Sequence, residues 1–147
     1  MRSSPSWGCD VISLYTLSGL VENRLKDKLG DKVLVFAQQP PDEESRGRGY
    51  VIIDMLGGVM RYARADGPAE HDGQFQLRCC GSSAAQMRNT VDLVRAALVD
   101  WRPMVDLRYG PARESDAGPE ILDRSVVRDP RWSMTLTYHI DDGDDYA

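Results

Sequence analysis

A strand, a tight turn and a helix follow one another without interruption between Gln74 and Trp101, and no other stretch constrains the fold as strongly. In QFQLRCC, Phe75, Leu77 and Cys79 alternate with Gln74, Gln76, Arg78 and Cys80, so one face of a strand is apolar. Gly81 ends the alternation. Ser83 then stands as the N-cap of a helix with Gln86 at its N3 position, the spacing of a capping box. Met87, Val91, Val94, Leu98 and Trp101 recur at alternating steps of four and three, which predicts one apolar helix face ended by Pro103.

A second helix is predicted over Val11–Leu29, with Leu14, Leu17, Val21, Leu25 and Leu29 on its stripe. Asp10 is placed to cap it, and Gly30 sits where the C′ glycine belongs. Lys32–Phe36 and Tyr50–Leu56 read as strands, separated by the polar stretch QQPPDEESRGRG, an exposed loop. Gly57 and Gly58 suit a two-residue turn that folds Val59–Ala63 back on Tyr50–Leu56. Another polar stretch, Arg64–Gly73, follows. Beyond the second helix lie a Gly/Pro-broken segment, Arg102–Pro119, then a strand in Glu120–Val127 and a turn at Asp129-Pro130. Arg131–Ile140 alternates over ten residues, directing Trp132, Met134, Leu136, Tyr138 and Ile140 to the core. The expected fold is α+β: an antiparallel or mixed sheet with two helices packed on one face and long polar loops. Residues 1–9 read as a flexible leader, 10–140 as a single domain, and 141–147 as an acidic flexible tail.

At 147 residues the chain suffices for one core without a staple. Its 41% hydrophobic and 28% charged residues are ordinary for a soluble domain. No apolar run is long enough for a membrane span, and Met1–Asp10 lacks the layout of a secretion signal. The net charge is −5, but Asp141, Asp142, Asp144 and Asp145 supply most of it. Setting those four aside leaves 19 of the 23 acidic residues against 18 basic ones. Such a body has no basic excess to neutralise phosphates, which argues against duplex binding.

Catalytic constellations are sparse. The chain has no P-loop and no CxxC pair. Cys79 and Cys80 are adjacent, so on a strand they point to opposite faces and cannot converge on a metal. With Cys9 they read as free thiols of a reducing cytoplasm. His71 lies between Glu70 and Asp72 in a polar stretch, and His139 shares a polar strand face with Thr135 and Thr137. Asp54 interrupts an apolar strand and needs a partner, for which a cross-strand Arg61 is placed. No nucleophile, base and orienting group can be assembled, so the chain reads as a non-enzyme with no cofactor and no metal. Its mixed-charge loops suit contact with other chains, and Asp42, Glu43, Glu44, Arg46, Arg48, Arg64 and His71 are the candidates.

Four stretches together, VENRLKDKLGDKVLVFAQQP, YVIIDMLGG, FQLRCCGSSAAQMRNTVDLVRAAL and RWSMTLTYHI, resemble the tail terminator (tail completion) proteins of long-tailed bacteriophages. The resemblance spans roughly Val21 to Ile140, and its most telling part is Phe75–Leu98. It implies a hexameric ring on the head-proximal end of the tail tube that stops tube polymerisation and offers a docking surface to the head connector. The implied partners are further copies of the chain, the tail tube protein and the head–tail connector or stopper protein. Genomic DNA would pass through the ring without specific binding, and the acidic fringe Asp141, Asp142, Asp144 and Asp145 would help it slide. The implied location is the head–tail junction of a virion assembled in the host cytoplasm. A head–tail joining or minor tail protein, and a protein-binding adaptor, are the alternatives.

Overall fold

The computed structural model describes residues 14–37, 47–56, 60–62, 69–71, 73–103, 109–124 and 131–142. Helix α1 spans Leu14–Leu29, and its Leu17, Val21, Leu25 and Leu29 are all buried, one per turn. Gly30 ends it in the left-handed region (φ +56°), where a side chain would be strained, and its N–H bonds the Lys26 carbonyl at 3.1 Å. Lys26 and Lys28 lie in the last turn, against the negative end of the helix dipole.

Strands β1 (Leu34–Phe36) and β2 (Tyr50–Leu56) follow and pair in parallel. The partner on the other flank of β2 is β5 (Gly73–Gly81), antiparallel, with Leu56 opposite Gln74. The expected fold-back of Val59–Ala63 onto β2 is therefore corrected. Those residues contribute β3 (Met60–Tyr62), which pairs with β4 (Ala69–His71) in a separate two-stranded sheet. The reason is register. β2 matches β5 over seven consecutive residues and alternates with it, a pairing that a short glycine-led strand cannot rival.

Helix α2 (Ala84–Leu98) begins as its capping signature predicts: Ser83 Oγ accepts the Gln86 N–H at 3.1 Å. The return bond goes one residue further out than in a capping box, since Gln86 Oε1 accepts from the Ser82 N–H at 2.7 Å. Met87, Val91, Val94 and Leu98 are buried as expected, and Thr90 and Ala97 join them. The helix stops well before Pro103, at a Val99 C-cap followed by Asp100 in the left-handed region (φ 56°). Trp101 lies beyond it, partly buried against the core.

The main sheet is completed by β6 (Tyr109–Ala117), β7 (Ile121–Asp123) and β8 (Arg131–Asp142), giving the order β1-β2-β5-β8-β6 with β7 also on β8. Half of Arg102–Pro119, read as a broken segment, is therefore strand, and among the described residues of Glu120–Val127 the strand is Ile121–Asp123. β8 runs two residues further than predicted and takes in Asp141 and Asp142.

Both helices share one core with the inner sheet face: Leu17, Val21 and Leu25 of α1 and Met87 and Val94 of α2 join Val51, Ile53, Phe75, Leu77 and Leu136. The fold is α+β with an open mixed sheet and both helices on one side. Phe75 and Tyr138 stack in that core with ring centroids 5.6 Å apart. The opposite face carries a smaller cluster of Tyr50, Ile52 and Cys80, with Leu34 and Phe36 packed on it. Cys79 and Cys80 thus enter different clusters, as strand alternation requires.

Two glycines are required where α2 passes the sheet. A Cβ on Gly81 would lie 2.6 Å from the Met87 nitrogen, and one on Gly49 would lie 2.5 Å from Thr90 Oγ1. Among the described residues no helix is long and apolar enough to cross a membrane.

Candidate interaction surfaces

The two edges of the sheet differ in chemistry. On one side, β6 and β7 together lie antiparallel to β8, interrupted at Gly118, whose N–H bonds the Thr135 carbonyl at 2.8 Å. Register shifts fall between Tyr109 and Ala112 and between Glu114 and Asp116. Pro111 lies within β6 and Pro119 between β6 and β7, the Ala112 N–H is taken by the Trp101 carbonyl at 2.8 Å, and Arg113, Glu114, Ser115 and Asp116 are exposed along the edge. Bulges, prolines and charges are the features that protect an edge from pairing with another chain. On the other side, β1 is Leu-Val-Phe, with no charge, no proline and no bulge.

The β6 edge is tied to α2 by two arginine–carboxylate forks. Arg95 donates to Glu114 at 2.9 and 3.0 Å, and Arg88 to Glu120 at 2.7 and 2.8 Å. Arg88 and Arg95 are seven residues apart and so share a helix face. These pairs are exposed, so solvent screens them. They orient the edge more than they stabilise it. Between the last turn of α2 and β6 runs an open groove of about 530 Å³, floored by Leu98, Ala112 and Tyr138 and rimmed by Arg95, Glu114 and Val99. Burial raises the Tyr138 phenol pKa well above its ordinary value, and the adjacent Glu114 adds to this.

The outer sheet face mixes aromatic and charged groups. Phe36 meets Tyr50 edge to face at 6.2 Å, and the Arg131 guanidinium lies 5.4 Å from the Tyr50 ring. Asp54 is paired with Arg78, at 3.3 Å. Arg78 stands on β5 beside β2, whereas Arg61 belongs to the separate ribbon. Burial pushes the Cys80 thiol up to about 11, and raises Cys79 further. Both are protonated at neutral pH and are not nucleophiles there.

Of the sequence-predicted contact residues, Arg48 is exposed and donates to the Asp31 carbonyl at 2.6 Å, next to the Gly47 carbonyl that accepts from Gln86 Nε2 at 3.2 Å. These bonds hold Gly47 and Arg48 against α2 and the residue after Gly30. His71 is the last residue of β4, opposite Met60. Asp141 and Asp142 end β8, and Asp142 faces Tyr109. Asp42, Glu43, Glu44, Arg46, Arg64, Asp144 and Asp145 lie outside the described residues, as do Cys9 and the leader. The Arg88, Arg95, Glu114 and Glu120 forks were not anticipated. They join residues 19 and 32 apart through a strand whose sequence does not announce itself.

No protein-family model and no curated protein sequence matches the chain. Among solved structures, a chain in the virion of a native gene transfer agent particle is similar, with a TM-score of 0.52 and 15% identity over 86% of this chain and 94% of that one. A second similarity is to the sheath/tube terminator of an extracellular contractile injection system (PVC) in its extended state, at 12% identity and a TM-score of 0.41. It covers 90% of this chain and 58% of that one, and is too loose to carry an argument. The chain therefore shares its fold, over nearly the whole length of both, with a component of a gene transfer agent virion.

Proposed function

We propose that this protein is a virion structural protein of the tail terminator type. Six copies form a ring on the head-proximal end of the tail tube, stop its polymerisation and present the surface on which the head connector docks. The observation that carries the reading is the shared fold with the gene transfer agent virion chain, 94% of which is covered. The sheet supports it. A ring needs one patch of a subunit to meet a different patch of its neighbour, and the β1 edge, with no charge, proline or bulge, supplies one such patch.

The near-neutral body suits DNA transit, because phosphate contacts that would hold the duplex are not in excess. In this reading the protein works at the head–tail junction, after assembly in the bacterial cytoplasm. The polar segment Gln38–Gly49 meets tube or connector, and deleting Glu43–Arg48 weakens capping without unfolding the domain.

The deciding experiment is negative-stain electron microscopy of lysates in which the gene is inactivated in its parent phage or particle. Filled heads beside overlong or ragged free tails are the expected result. Free tails of normal, uniform length would instead indicate a head–tail joining protein, and intact particles would refute a neck role altogether.

A further inference from the structure

We infer that the β3–β4 ribbon of one copy adds to the β1 edge of the next copy, and that this contact links the subunits. The inference rests on the self-assembly reading above and assigns it a surface.

Two observations meet here. First, β3 and β4 form a sheet of two strands, three residues each, hydrogen-bonded to each other and, among the described residues, to no third strand. A ribbon of that size is marginal in water and gains most from a third strand or an apolar support. It stands at the tip of the β2–β5 hairpin, where Leu56 already faces Gln74, so the sheet does not need it for closure. Second, β1 ends the main sheet with three apolar residues and none of the protection seen on the β6–β7 edge. The Leu34 N–H bonds the Gly49 carbonyl at 3.2 Å, so in a parallel ladder Leu34 and Phe36 face β2. The N–H and C=O of Val35 face the other way, off the sheet. β1 and the two ribbon strands are equal in length.

The contact is heterologous. The ribbon and the β1 edge are different patches of one subunit, so each copy offers one of each and the chain of contacts closes into a ring or continues. Pairing between copies also explains why the two edges are treated unequally. The β6–β7 edge is blunted because only one edge is used. The occupant of β1 is a second copy, because the chain itself carries the unpartnered ribbon of matching length.

The test uses two variants of the otherwise full chain, compared with wild type by native mass spectrometry and sedimentation. Val35→Pro removes the outward N–H and leaves the inward ladder bonds of Leu34 and Phe36 in place. The second variant replaces residues 57–73 by an asparagine–glycine turn that connects Leu56 to Gln74. Far-UV circular dichroism and urea unfolding check that both fold. Should Val35→Pro fail to fold, the ribbonless chain decides alone.

Wild type is expected to form a ring, and each variant to stay monomeric. Mixing the two variants should give a one-to-one dimer and nothing larger, since the mixture contains one intact ribbon and one intact edge per pair. Loss of a merely structural feature would not restore a dimer on mixing. Rings formed by either folded variant would overturn the pairing while leaving the ring itself standing. A ribbonless chain that forms rings but no longer caps tail tubes would reassign the ribbon to the tube and refute self-pairing. A wild-type chain that does not assemble, alone or on tail tubes, would overturn the ring reading as well.

Discussion

Gly81 joins the central strand β5 to helix α2, and replacing it by alanine tests how closely the two approach. The added Cβ would lie 2.6 Å from the Met87 nitrogen and 3.0 Å from the Gln86 carbonyl carbon and the Met87 Cα. Ordinary contacts begin at 3.4 Å, so the first turn of α2 must recede by about 0.8 Å or the strand must bend. All three neighbours are backbone, so no side chain can rotate away. Overpacking of this kind costs about 1–3 kcal/mol. The displaced turn also holds the Ser83 cap and the two bonds from Ser82 to Gln86, a cap being worth about 1 kcal/mol. Gly81→Ala should therefore destabilise the domain by about 2–4 kcal/mol, lowering Tm by roughly 5–15 °C in a chain of this size. Gly118→Ala is the control, because its Cβ would find only the Thr135 carbonyl oxygen at 3.6 Å. Urea and thermal unfolding by circular dichroism measure both. A Gly81→Ala protein within about 0.5 kcal/mol of wild type, the range of neutral surface changes, would refute the close passage of α2 over β5.

Ser83→Ala removes the acceptor of the Gln86 N–H and should lower unfolding free energy by about 1 kcal/mol, whereas Ser83→Asp should retain it. Equal urea midpoints for the two variants would show that the cap contributes nothing. Stability should also fall at alkaline pH. The Cys80 thiol is raised from 9.0 to about 11 by burial, so the fold favours its protonated form. That contribution is fully present below about pH 9 and is lost as pH climbs through 11. Cys79 and Tyr138, both raised by burial, act in the same direction. Cys80→Ala should flatten the decline in urea midpoint above pH 9, and an unchanged slope would remove Cys80 from its cause.

How much of this protein could be read in advance depends on the range of each interaction. The turn and helix after β5 were legible because capping, glycine placement and a 3.6-residue stripe are set by neighbours within four positions. Ser83, Gln86 and the buried series from Met87 to Leu98 stand where their spacing predicts. The alternation of β8 and the stripe of α1 were readable for the same reason. β6 was not, because an edge strand protected by Pro111, Pro119, bulges and exposed charges carries the composition of a loop. Its protection against pairing is what hides it.

The candidate contact residues divide in the same way. Exposed, charged loop positions such as Arg48 can be named from composition, but the Arg95–Glu114 fork and the outward face of Val35 depend on which strands become neighbours. By itself the sequence determined the two helices, the long strands β2, β5 and β8, their apolar faces and the fold class, all properties of short windows. Tertiary structure alone decided that β2 pairs with β5 and not with the strand after Gly57-Gly58, that Asp54 meets Arg78, and that β1 ends the sheet among the described residues. Those choices compare the free energies of whole registers, in which seven matched pairs backed by a shared core outweigh a nearby turn.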